Sequence, residues 1–162
     1  MKSSGSNILN QAKSLALAVA MAVLPAGMVG LSGNVAAYAS EKYQIVNSNN
    51  PGEQTNIEAN LVRGQITVVD LYSDYCPPCR NLSQRLKDFV ARRNDVVVRA
   101  FDINRRGTKG IDWKSPLAQQ CGLRSIPALK IYDKDGQLVA QGKEARMMVE
   151  KWFTDAGLTS AR

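Results

Sequence analysis

Two of the chain's three cysteines, Cys76 and Cys79, stand two residues apart in the stretch VVDLYSDYCPPCR, residues 68–80. Such a pair can clamp a metal, staple a loop, or cycle between dithiol and disulfide. A structural zinc site takes four ligands, as a rule Cys or His, and the chain has three cysteines and no histidine. Three thiolates completed by an acid is the one metal arrangement left, and no metal is expected. Covalent haem needs His directly after the second cysteine, where Arg80 stands. A four-thiolate iron–sulfur cluster lacks a ligand. A disulfide closing so short a loop removes little chain entropy, so a staple would add little stability. The spacing favours a working redox pair.

The flanking elements support that chemistry. Residues 66–72, ITVVDLY, are β-branched and apolar apart from Asp70 and read as a buried strand. A helix follows from about Pro78 to Arg93, with Leu82, Leu86, Phe89 and Val90 on one face. Cys76 therefore falls between strand and helix. A thiolate there meets unpaired backbone N–H groups and the positive end of the helix dipole, which lower its pKa. Pro77 and Pro78 need no N–H partner at a helix start. Cys79, one turn in, is placed to attack a mixed disulfide on Cys76.

Before the strand, residues 47–56 read as a polar surface loop. Thr55 and Glu58 then have capping-box spacing for a short helix with Ile57, Leu61 and Val62 on its apolar side, ended by Gly64. Downstream, residues 96–103 form a second strand and residues 104–114 a charged loop. Ser115 and Pro116 open a short helix that ends near Gly122. Residues 128–133 are a third strand, Asp135-Gly136 a turn, and QLVAQG a fourth strand. A last helix spans 144–156, with Met147, Met148, Trp152 and Phe153 at its apolar positions and Gly157 as its cap. This order predicts an α/β fold with a central mixed sheet of four to five strands, flanked by helices on both faces.

The N-terminus reads as a targeting segment. Lys2 and Lys13 precede an apolar run over residues 15–31, broken by Pro25, Gly27 and Gly30, and Ala37-Tyr38-Ala39 has the small-x-small pattern of a cleavage site. The expected organisation is a signal peptide over 1–39, a polar segment over 40–56 and one domain over 57–162. Removing the two lysines lowers the net charge from +7 to +5. The alternative is an uncleaved anchor, for which the run is short and interrupted. Lys and Arg outnumber Asp and Glu by 21 to 14. No basic run interleaved with aromatics accompanies the excess, so a solvated basic surface is expected rather than a nucleic-acid partner. Export would place the cysteines where disulfides persist.

The chain resembles the thioredoxin family. The resemblance rests on the strand with Asp70 six residues before Cys76, the Cys-x-x-Cys opening a helix, the segment Gly122-Leu123-Arg124-Ser125-Ile126-Pro127, the Lys134-Asp135-Gly136 turn and the last helix. It covers roughly residues 57–157 and implies a thioredoxin fold. It implies Cys76 as attacking thiolate, Cys79 as resolving thiol and Asp70 as the buried carboxylate that takes the Cys79 proton. Pro127 would be a cis-proline facing the pair, and Ile126 would offer backbone bonds to a substrate strand. Tyr75, Pro77 and Pro78 would shape the rim. The dipeptide is Pro-Pro rather than Gly-Pro, and Ala100 stands where the family has a lysine paired with the aspartate. The loop from Asn104 to Ser115 is longer than the family's; its Arg105, Arg106, Lys109 and Trp113 read as a solvated loop, with partner docking as the alternative. Cys121 is expected to be a half-buried free thiol.

Pro-Pro supplies no donor to a thiolate, Ile precedes the cis-proline, and no segment long enough for a lid domain separates Cys79 from Pro127. The resemblance therefore implies a monomeric protein-disulfide reductase outside the cytoplasm, with no cofactor beyond its own disulfide. A membrane thiol donor would supply its electrons. Apocytochrome c or other exported proteins with unwanted disulfides would be its substrates. An oxidase or isomerase on the same scaffold, and a non-enzymatic partner-binding module, are the alternatives.

Overall fold

The computed structural model describes residues 41–158; the expected signal peptide and its expected cleavage point lie outside them. Among the described residues one sheet carries five strands: β1 (Tyr43–Ile45), β2 (Ile66–Tyr72), β3 (Val96–Asp102), β4 (Ala128–Tyr132) and β5 (Leu138–Gln141), in the spatial order β1-β3-β2-β4-β5. β3 runs parallel to β1 and β2, whereas β4 is antiparallel to β2 and β5. The helices that pack with the sheet are α1 (Pro77–Val90), α2 (Pro116–Gln120) and α3 (Gly142–Asp155). The mixed sheet matches the expected fold class.

Alternation along β2 sends Val68, Asp70 and Tyr72 to one face and Val69 and Leu71 to the other. The first face packs against α1 and α3 through Leu82, Leu86, Phe89, Val149 and Phe153. The second is covered by Ile57 and by Leu117 and Ala118 of α2. α1 buries Cys79, Leu82, Ser83, Leu86, Phe89 and Val90, a stripe at steps of three and four. α1 and α3 are clasped at their contact. Phe89 meets Phe153 edge-on at 5.7 Å and stacks on Trp152 at 5.9 Å. Arg85 lies 4.2 Å over the Phe153 ring and makes a two-pronged pair with Glu150 at 2.8 and 2.9 Å.

Two local expectations change. The helix expected after Thr55 is only a 3₁₀ turn over Glu58–Asn60. Thr55 turns back to donate to the Glu53 carbonyl, Asn56 Oδ1 takes the Ala59 N–H instead, and Leu61 is already extended. The second change is β1, which lies inside the segment read as a polar lead-in and pairs Tyr43 with Val98.

The polar loop that follows β1 is tied into the fold. Asn47 bonds both backbone groups of Asp102 through its side chain, continuing the pairing of the sheet edge. Gly52 donates to the Asp102 carbonyl and accepts from Leu117 N–H, both at 2.9 Å, and joins the end of β3 to the start of α2. Its φ of +74° suits glycine, and a Cβ there would sit 2.5 Å from the Arg105 nitrogen and 2.7 Å from the Asn104 carbonyl carbon. Both are backbone atoms, so no side-chain rotation relieves the clash. Gly52→Ala is therefore expected to destabilise the domain by about 3 kcal/mol. Urea unfolding checks this as a lowered midpoint with an unchanged slope.

Candidate active site

The site forms where β2 ends and α1 begins. Cys76 is the N-cap of α1 in an extended conformation, with Pro77 and Pro78 opening the first turn. Cys76 and Cys79 are joined as a disulfide. The Cys79 N–H, in the first turn of the helix, is shared between the Cys76 carbonyl at 3.0 Å and Cys76 Sγ at 3.2 Å. It is placed to stabilise a thiolate there. Tyr75, Pro77 and Pro78 are exposed around the pair, while Cys76 is almost covered and Cys79 fully buried. Cys76 is thus the outer sulfur.

The loop before β4 reaches the pair from the other side. The Ile126–Pro127 peptide is cis, and the Ile126 carbonyl oxygen lies 3.9 Å from Cys76 Sγ. Arg146 of α3 donates to the Pro127 carbonyl at 3.0 Å. A groove of about 410 Å³ runs beside these residues, lined by Pro77, Pro78, Pro127, Leu129 and Arg146 among others.

Asp70 is fully buried at the centre of β2, between Ala100 of β3 and Leu129 of β4. Ser83 Oγ donates to its Oδ2 at 3.2 Å, and Oδ1 has no hydrogen-bond partner among the described residues. Ser83 stands one helical turn beyond Cys79 on the same face of α1, so Asp70 lies under the face that carries Cys79. Burial pushes the Asp70 carboxyl up to about 7, against the lowering effect of the Ser83 bond and the Arg146 charge. A carboxyl group tuned to this range can accept and release a proton near neutral pH. Ala100 does occupy the register position beside Asp70, and the cation that acts on the carboxylate comes instead from α3.

The structure thus brings Asp70, Tyr75, Cys76, Pro77, Pro78, Cys79, Ile126 and Pro127 to one end of the sheet. Sequence reasoning passed over Ser83, Arg146 and Tyr43. Ser83 left a signal, a hydroxyl within an apolar stripe four residues after Cys79; Arg146 and Tyr43 left none. Cys121 lies apart, packed with the opposite core, and burial pushes its thiol up. In the long loop, Arg105 is held by Asp112 at 2.7 Å and Arg106 by the Ser48 and Asn49 carbonyls; Trp113 is partly exposed. Among the described residues no cluster of Cys, Asp and Glu could hold a metal, and no helix is long and apolar enough to cross a membrane.

A sequence profile described as Thioredoxin matches residues 50–154. The chain is 32% identical over 77 residues to a chloroplastic F-type thioredoxin of Brassica napus, which covers 48% of this chain and 38% of that protein. It is 35% identical over 72 residues to thioredoxin 1 of Synechococcus elongatus, covering 44% and 60%. The chain thus spans about two fifths of the length of the plant relatives it matches. Among solved structures, spinach chloroplast thioredoxin F in its short form is 18% identical, with a TM-score of 0.48 over 71% of this chain and 94% of that one. Oxidised mitochondrial thioredoxin 3 of Saccharomyces cerevisiae is 25% identical, with a TM-score of 0.44 over 65% and 94%.

The Asp70 titration is linked to stability. The folded value, about 7, lies above the ordinary carboxylate value near 4. The folded state therefore holds a proton that the unfolded chain releases, and stability falls as pH rises from about 4 through about 7. Asp70→Asn removes this titration. Its stability relative to the parent oxidised protein is expected to rise across that window by about 4 kcal/mol. Denaturant unfolding at acidic and mildly alkaline pH checks it; a difference that does not change with pH contradicts it.

Proposed function

This chain belongs to the thioredoxin family of disulfide oxidoreductases, and on that premise we propose that it reduces protein disulfides outside the cytoplasm. The observation that carries the activity is the Cys76–Cys79 disulfide at the N-terminus of α1, above a buried carboxyl group poised near neutral pH. In the reducing direction the Cys76 thiolate attacks one sulfur of a substrate disulfide. That bond breaks, one substrate sulfur leaves as thiolate, and a mixed disulfide forms. Cys79 passes its proton to Asp70 and attacks Cys76 Sγ, releasing the second substrate sulfur. The substrate gains two electrons and its two thiolates take protons from solvent. The cysteine pair loses two electrons and closes as the disulfide, with the Cys79 proton left on Asp70. A dithiol donor at the membrane returns the electrons. Tyr75, Pro77 and Pro78 form the rim, and the backbone at Ile126 and Pro127 holds an extended substrate segment.

The direction is supported by what surrounds Cys76. Among the described residues its sulfur receives one hydrogen bond, from the Cys79 N–H, and Pro77 and Pro78 supply none. A sparsely stabilised thiolate gives a more reducing pair. Between α1 and Pro127 the described chain holds β3, the 104–115 loop and the five-residue α2, with no lid domain. The location outside the cytoplasm rests on the pattern of residues 1–39, and N-terminal sequencing of the exported protein is expected to begin at Ser40.

The reduction potential of Cys76–Cys79 in the purified protein, set against a dithiothreitol or glutathione series, tests the direction. A value near about −270 mV fits a reductase; one near about −120 mV makes the protein a disulfide-forming enzyme. Cys76→Ser is expected to abolish disulfide reduction, and Cys79→Ser to accumulate a mixed disulfide visible by mass. Undiminished biological function in Cys76→Ser would point to a binding module instead.

A further inference from the structure

Each turnover leaves a proton on a carboxyl group that has no surface of its own. The groups facing Asp70 come from four elements: Cys79 and Ser83 of α1, Tyr43 of β1, Tyr72 of β2 and Arg146 of α3. Once the disulfide has closed, Cys79 has no S–H. Arg146 is a permanent cation and cannot accept a proton. Of these groups, Ser83 is the one bonded to Asp70, through Oγ to Oδ2 at 3.2 Å. A serine hydroxyl can take a proton on one lone pair while giving up its own.

Ser83 also reaches the surface. It lines a cleft of about 220 Å³ on the flank of α1, together with Tyr43, Asp74, Arg80, Gln84 and Lys87. Tyr43 is buried beside it, its phenol within electrostatic reach of the Ser83 hydroxyl, with Lys87 Nζ 4.9 Å above the phenol ring. Neither cysteine and none of Pro77, Pro78, Ile126 and Pro127 lines this cleft.

We propose that Ser83 relays the proton between Asp70 and the cleft, with Tyr43 as the positioning residue that keeps the serine hydroxyl in line. The proton on Oδ2 passes to Ser83 Oγ as the hydroxyl's own proton passes to water in the cleft. No electron moves, and the serine ends as it began. When the disulfide is reduced, the same route runs inward to supply the Cys79 thiol. Because it opens away from the rim, it stays available while a substrate covers the cysteines. The proposal rests on Asp70 being the proton acceptor of the thiol chemistry above.

The test is reduction of the oxidised full-length protein by dithiothreitol, followed across the pH range of the Asp70 titration in H₂O and D₂O. Asp70→Asn serves as the control. Ser83→Ala is expected to lower the plateau rate about tenfold and to enlarge the solvent isotope effect; Ser83→Thr restores both. Tyr43→Phe, which leaves Asp70 and Ser83 in place, lowers the plateau several-fold. If Asp70→Asn is slow but Ser83→Ala keeps the parent plateau, or merely shifts the midpoint, the relay is overturned and the role of Asp70 stands. A parent plateau in Tyr43→Phe removes Tyr43 from the route. If Asp70→Asn itself reacts at the parent rate, the role of Asp70 fails and the relay with it.

Discussion

A carboxyl group sits on the middle strand of the sheet with one hydroxyl bonded to it and, among the described residues, no salt-bridge partner. Ionising it there costs about 4 kcal/mol relative to an exposed carboxylate. That is a large fraction of the net stability of a domain this size. Burying one large apolar side chain contributes about 2 kcal/mol, so two or three well-packed residues offset the cost. The same face supplies them in Leu86, Phe89, Val149 and Phe153, all essentially without exposed surface. The α1–α3 clasp is thus part of what allows Asp70 to stay inside.

The start of α1 carries the second constraint. A helix N-terminus presents N–H groups without internal partners, and here the capping atom is a sulfur rather than the usual oxygen. As a thiolate, Cys76 would satisfy the Cys79 donor better than a neutral thiol can. Two prolines in the first turn keep the other N–H donors away from it. The local electrostatics therefore come from backbone and rigid geometry, and no histidine or lysine is needed beside the sulfur. Arg146 then links the two halves of the site. It bonds the carbonyl of Pro127 while its charge acts on Asp70, so the loop that faces the disulfide and the buried acid share one cation.

Much of this was legible in the sequence because it follows from short-range rules. The apolar run of β2, the three-and-four stripe of α1, the Ser115-Pro116 start of α2 and the Asp-Gly turn are local signals, and each element lies within a few residues of its expected place. Asp70 and Cys76 could be related because their six-residue spacing is that of the thioredoxin family the chain resembles. What escaped was long-range. β1 has three residues, of which only Tyr43 is buried, and it exists because β3 has a free edge. No window of sequence contains that edge. The capping box at Thr55 and Glu58 had the right letters, but Asn56 competed for the backbone donor. Arg146 stands 76 residues from Asp70 in the chain; only the packing of α3 on β4 brings its charge to bear.

The residues that escaped the sequence reading are not incidental to the chemistry. Tyr43, Ser83 and Arg146 come from three different elements, and all three converge on the one group whose protonation changes. A carboxyl group held in apolar packing alone would be driven to the neutral form and would accept no proton. One surrounded by cations would stay ionised and would hold no proton to give back. Here burial raises the pKa while one bonded hydroxyl and the more distant charge of Arg146 lower it, and the balance falls near neutrality. Such a balance needs partners drawn from separate parts of the fold. A single helix or strand places its own side chains on a fixed lattice, and that lattice cannot surround a point in the core. The five-stranded sheet with α1 and α3 on one face can, which is why the proton chemistry of Asp70 depends on β1 and α3 as much as on the motif that carries the cysteines.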